Sequence, residues 1–162
     1  MLEANTRMVI IKGPSNSGKS TSILLFIEEL MHTNDFRFLC LKDQQRYLNT
    51  LNKLELEKHV KDIQCSTLYK DKLMYITSFG DSAVELDRRL KNYIKYADII
   101  VFASHPNNSR SRKFQELFNC WNIKDTDCIV KEACKETELF DKENLIVAKL
   151  LKEKVDNLAK GI

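Results

Sequence analysis

The residues with the clearest chemical spacing are Gly13-Pro14-Ser15-Asn16-Ser17-Gly18-Lys19-Ser20, which match the pattern G-x-x-x-x-G-K-[ST] in full. From average residue usage, such a match arises by chance in a chain of this length roughly once in two hundred. Gly13 and Gly18 open backbone conformations closed to other residues and let the main chain approach an anion without a Cβ in the way. Successive backbone N–H groups then face phosphate oxygens, and Lys19 reaches the β and γ phosphates of a nucleotide. The Ser20 hydroxyl suits Mg2+, and Thr21 stands one step further along, where its hydroxyl meets the α phosphate. The competing reading is a plain glycine-containing turn before a helix. The completeness of the motif and the elements on either side of it tell against that.

Three further groups are candidates for chemistry on a bound phosphate. Asp81 follows an apolar run and Gly80, a position from which a carboxylate holds Mg2+ directly or through water; its competing role is to favour a helix N-terminus. Asp43 follows a second strand and is a candidate base or acceptor-binding carboxylate, or else a turn residue before a helix. Arg110 and Arg112, with Lys113, open a helix, and an arginine there can neutralise charge developing on a γ phosphate. A solvated basic patch explains them equally well.

The elements that must position these residues follow from hydrophobic periodicity. Met8-Val9-Ile10-Ile11 is a short β-branched run ending at Gly13-Pro14 and predicts a strand buried on both faces. From Lys19 onward, Ile23, Leu24, Ile27, Leu30 and Met31 trace an amphipathic helix. A second strand is expected over Phe36 to Leu41, then a helix carrying Leu48, Leu51 and Leu54 that ends near His59. Two β-like runs, Val60 to Leu68 and Leu73 to Phe79, joined by Tyr69-Lys70-Asp71-Lys72, read as a hairpin that adds an antiparallel edge strand. Ser82-Ala83-Val84-Glu85 fits a capping box, opening a helix to about Tyr96 with Val84, Leu90, Ile94 and Ala97 on its apolar side. Ile99 to Ala103 is a further strand, broken at Ser104-His105-Pro106. Phe114, Leu117, Phe118 and Trp121 mark a helix, Asp127 to Lys131 a last strand, and Leu145, Ala148, Leu151, Val155 and Leu158 a C-terminal helix. Strands alternating with helices imply a three-layer α/β/α fold with a mostly parallel sheet, whose ligands sit beyond the carboxyl ends of the strands.

A chain of 162 residues with 43% hydrophobic and 30% charged residues is expected to form a single globular domain over its whole length. The 26 basic and 23 acidic residues leave a net charge of +3, too mixed to indicate a nucleic-acid partner. No apolar run is long enough to span a bilayer and Met1 to Met8 lacks an apolar centre, so a cytoplasmic protein is expected. Cys40, Cys65, Cys120, Cys128 and Cys134 form no C-x-x-C pair and read as free, mostly buried thiols. His32, His59 and His105 have no metal-ligand spacing.

The Gly13–Ser20 segment resembles the Walker A motif of the P-loop NTPase superfamily, and the order of strands and helices fits that fold along most of the chain. A narrower resemblance runs through Ile76-Thr77-Ser78-Phe79-Gly80-Asp81 and Ala97 to Ser104, which is similar to small bacterial P-loop ATP-binding proteins. These carry a G-D after the strand neighbouring the P-loop strand. Their next loop, T-R-T-R-G-like, is replaced here by Ser104-His105-Pro106-Asn107-Asn108-Ser109-Arg110. The resemblance implies ATP and Mg2+ as cofactors and an Mg2+-dependent ATPase or ATP-driven switch. A small-molecule or nucleotide kinase using Asp43 and Arg110 or Arg112 at an acceptor pocket is the second expectation. A non-catalytic nucleotide-binding module that organises a protein partner is the third. No N-K-x-D or T-K-x-D guanine-reading motif follows a strand, which argues against a GTPase.

Overall fold

The computed structural model describes residues 6–14, 17–57, 62–80, 82–105, 112–132 and 137–161. Its centre is β1 (Arg7–Lys12), whose residues from Met8 to Lys12 are all buried. A strand apolar on both sides can only be satisfied between two neighbours with helices on both faces. Those neighbours are β5 (Ile99–Ser104) and β6 (Cys128–Val130), both parallel to β1. Beyond β5 lies β4 (Lys72–Thr77), also parallel, followed by β3 (Gln64–Tyr69) and the short β2 (Phe36–Phe38), each antiparallel to the strand before it. The strand order is β2-β3-β4-β5-β1-β6, a six-stranded mixed and mostly parallel sheet.

The hairpin exists, but it does not form the edge. Its turn is only Lys70-Asp71, both with positive φ (51° and 62°), the two-residue mirror-image turn whose twist suits flanking strands. β2 pairs with the outer side of β3 and takes the edge itself. The expected strand Phe36–Leu41 stops at Phe38 because α2 (Leu41–Glu57) already begins at Leu41.

Alternate residues of β1 supply the two cores, as the period of two requires. Val9 and Ile11 face α1 (Lys19–Met31), α2 and α5 (Thr137–Gly161), in a cluster with Ile23, Ile27, Tyr47, Ala148, Leu151 and Val155. Met8 and Ile10 face α3 (Ala83–Leu90) and α4 (Arg112–Cys120), with Leu86, Leu90, Phe102, Phe118 and Trp121. Helices therefore cover both faces of the sheet.

Most residues of the expected helix stripes pack inward, but one in each of four helices faces out. These are Met31 on α1, Leu48 on α2, Val84 on α3 and Leu145 on α5. On α2 Leu51 packs on the core as expected, beside buried Tyr47. Leu90, Ile94 and Ala97 join the core beside Ala83 and Leu86. On α5 Ala148, Leu151 and Val155 are buried and Leu158 packs against them. The helix expected to reach Tyr96 ends at Leu90, after which turns lead into β5. The thiols also divide differently: Cys65 is buried, but Cys40 and Cys120 are exposed. Among the described residues no helix is long and apolar enough to cross a membrane.

Candidate functional site

At the carboxyl end of β1 the chain leaves the sheet and re-enters regular structure as α1, so the loop between Lys12 and Lys19 lies where open α/β sheets place ligands. Its root is anchored to both neighbouring strands. Gly13 N–H donates to Ser104 O at 3.1 Å at the end of β5, and Lys131 N–H donates to Lys12 O at 2.7 Å just past β6. The two glycines serve different ends. Gly18, the residue before α1, has φ 88° and ψ 21°, the left-handed conformation that side-chain-bearing residues avoid. Gly13 is not in that region; a Cβ there would lie 2.7 Å from the Lys131 carbonyl oxygen.

The first intrahelical bond of α1 is Ser22 N–H to Gly18 O, at 2.9 Å. The N–H groups of Lys19, Ser20 and Thr21 precede it and point from the positive end of the helix dipole. Lys19 is only 9% exposed and folds back over the loop, its Nζ donating to Gly13 O at 2.5 Å and to Pro14 O at 2.9 Å. Both of these acceptors are neutral carbonyls, and anionic oxygens bind an ammonium more strongly. Ser17 is 1% exposed and its hydroxyl has no hydrogen-bond partner among the described residues, whereas buried hydroxyls normally make such a contact. These features fit an oxyanion ligand such as a phosphate.

Ser20 points to a carboxylate that sequence reasoning missed. Its hydroxyl donates to Asp62 Oδ1 at 3.1 Å, and Ser78 Oγ lies 3.2 Å from the same oxygen. Ser78 is buried just beyond the end of β4, where its Oγ accepts the Ile63 N–H at 2.8 Å. Asp62 stands just before β3, remote in sequence from the motif. A register signal was available: a two-residue turn at Lys70-Asp71 pairs Tyr69 with Lys72 and Gln64 with Thr77, which carries Asp62 past the carboxyl end of β4. The longer loop expected from Tyr69 to Lys72 hid it.

The connection after β4 is packed tightly onto β5. A Cβ on Gly80 would fall 1.8 Å from the Ala103 carbonyl oxygen, so only glycine fits. Phe79 lies under the Arg89 guanidinium at 3.9 Å, and Arg89 also bonds Glu85 Oε1 at 2.8 Å and Gln64 Oε1 at 2.6 Å. Ser82 caps α3 as expected, its Oγ accepting from Glu85 N–H at 3.4 Å. β4, which precedes the Gly80-Asp81 pair in the sequence, is separated from β1 by β5 and is not its neighbour. Asp81, Arg110, Ser15 and Asn16 lie outside the described residues.

The remaining candidates are engaged elsewhere. Asp43 sits in the first turn of α2, and its Oδ2 accepts the Ser66 N–H at 3.1 Å, a β3 donor beyond the reach of short β2. Arg112 is 87% exposed and pairs with Glu116 at 3.5 Å, an i,i+4 contact of the kind worth about 0.5 kcal/mol. Thr21 is half-buried in the first turn of α1. Among the described residues no three His, Cys, Asp or Glu side chains gather into a metal cage.

The fold and site together define an α/β protein with a glycine-bounded loop between the carboxyl end of a central parallel strand and the N-terminus of a helix. Neither a scan against protein-family models nor searches of curated proteins and of solved structures finds a significant match.

Proposed function

We propose that this chain is a P-loop NTPase that binds ATP with Mg2+ at Gly13–Ser20 and works as an Mg2+-dependent ATPase or ATP-driven switch. The observation that carries the reading is the buried Lys19, folded over the loop at the N-terminus of α1 with its ammonium on the Gly13 and Pro14 carbonyls. Backbone N–H groups and a helix dipole favour a phosphate, and the lysine adds the charge that favours the terminal phosphates of a triphosphate. The Ser17 hydroxyl, without a hydrogen-bond partner among the described residues, is a further group that a phosphate oxygen would satisfy. Bound Mg2+ supplies charge neutralisation at the β and γ phosphates, and Ser20 is the loop hydroxyl suited to hold it. Lys19 holds the γ-phosphoryl oxygens as charge shifts toward them.

The kinase alternative draws less support. Asp43 is bonded to the β3 backbone and Arg112 is on an exposed ion pair, so neither is drawn toward an acceptor pocket. The P-loop fold itself is supported by the strand order around β1 and by helices on both sheet faces.

Calorimetric titration of the full chain with Mg2+ and ATP, beside a phosphate-release assay, tests the reading. Lys19→Ala removes one or two charge-assisted hydrogen bonds and should weaken ATP binding about 10- to 100-fold. Unchanged affinity in that variant overturns the assignment. Binding with neither phosphate release nor a phosphorylated product favours a non-catalytic nucleotide-binding module over the ATPase.

A further inference from the structure

We infer that Asp62, approaching from the start of β3, holds the Mg2+ of the nucleotide site together with Ser20, and that Ser78 positions its carboxylate. The inference rests on the nucleotide reading above and names a metal-binding residue outside both the loop motif and the Gly80-Asp81 pair.

Geometry carries it first. Two hydroxyls from different elements, Ser20 on α1 and Ser78 after β4, converge on the single oxygen Asp62 Oδ1, at 3.1 and 3.2 Å. Asp62 Oδ2 takes no hydrogen bond from the described residues. Ser78 is itself fixed: its Oγ accepts Ile63 N–H at 2.8 Å, and its own N–H donates to Ile63 O at 2.9 Å, continuing the β3–β4 ladder beyond Gln64 and Thr77. Strand register therefore brings the Asp62 backbone beside the loop, and the Ser20 and Ser78 hydroxyls hold its carboxylate there.

Electrostatics carries it second. The loop concentrates positive potential through Lys19 and the N-terminus of α1, yet Asp62 adds a negative charge against Ser20 in the same turn. A carboxylate there opposes an incoming triphosphate unless a cation joins the two. Mg2+ suits that place, since it takes one or two carboxylates, a hydroxyl and phosphate oxygens and keeps several waters. Mg2+ held there would take its remaining ligands from the nucleotide phosphates and water. Binding of metal and of nucleotide is then mutually reinforcing, with Asp62 as the protein side of the coupling.

The test is titration of the full chain with a fluorescent ATP analogue, in Mg2+ and in EDTA, with Mn2+ binding followed in parallel by electron paramagnetic resonance. For the native chain, Mg2+ should tighten the analogue at least about tenfold. In Asp62→Asn the affinity in EDTA should be retained or raised, while the gain from Mg2+ falls to about twofold or less and bound Mn2+ is lost. Ser78→Ala should weaken Mn2+ about tenfold while leaving the affinity in EDTA unchanged, the signature of a positioning residue. Asp62→Glu, which keeps the charge, should recover part of the metal gain. A native-like Mg2+ gain and Mn2+ affinity in Asp62→Asn overturn the inference and leave the nucleotide reading standing, as does their loss in Asp81→Asn alone. Absence of analogue binding by the native chain in both buffers overturns the nucleotide reading, and this inference with it.

Discussion

Gly80 and Lys19 illustrate how much of the candidate site depends on single side chains, one by its absence and one by its charge. The Gly80 backbone lies so close to the Ala103 carbonyl that the smallest side chain would overlap it. Gly80→Ala therefore has to push the connection after β4 away from β5, and this kind of overpacking costs about 1–3 kcal/mol. A urea titration should show a lowered midpoint with an unchanged slope. A midpoint equal to that of the native chain would mean that the connection moves freely. Lys19 and Ser20 were singled out by residue type and spacing alone, because the proposed phosphate cradle, built on a helix N-terminus, is local in sequence. Asp62 was not legible in that way, since its partner Ser20 lies 42 residues earlier and only sheet register joins them.

At the level of elements, α5 is tied to the hairpin by one carboxylate. Asp156 accepts from Tyr69 Oη at 2.6 Å and from Lys152 Nζ at 2.8 Å, and Lys70 Nζ stands at 3.2 Å. Burial works against ionisation of Asp156, but the hydrogen bonds from Lys152, Tyr69 and Lys70 outweigh it and hold the carboxyl below the usual range. A carboxyl with a depressed folded value stabilises the fold above its unfolded pKa of about 3.9, and the contribution disappears as pH falls through the folded value. Asp156→Asn should therefore be less stable than the native chain at pH 7, and the difference in urea midpoint should shrink toward pH 3. A difference independent of pH would assign the effect to packing. The existence of α5 and of the hairpin followed from periodicity. Their meeting did not, because Tyr69 and Asp156 are 87 residues apart.

For the whole molecule, the sheet has apolar residues on both faces, and β1 contributes to both clusters through alternate side chains. Two cores sharing the same strands should not melt separately. Trp121, the single tryptophan, is buried in the α3/α4 layer with its ring edge-on to Phe102, centroids 6.0 Å apart. Its fluorescence reports that layer, whereas far-ultraviolet circular dichroism averages over all helices. Coincident urea transitions by the two probes are expected, and a Trp121 transition at lower urea would divide the molecule into separately unfolding layers.

Short-range information determined the loop motif, the buried character of β1 and β5, the start of α3 at Ser82 and the alternation of strand and helix. Each of these depends on residues within one or two turns of each other, so spacing and residue type suffice. The helix stripes were legible apart from Met31, Leu48, Val84 and Leu145, single positions at the stripe margins whose exposure is decided by which neighbour each helix meets. Tertiary structure alone decided that β2 would close the edge, that β5 would stand between β1 and β4, and that Asp62 would come to rest against Ser20. Those outcomes turn on which strand pairs with which and in what register, a choice set by burying both sheet faces at once and not by any stretch of the chain taken singly.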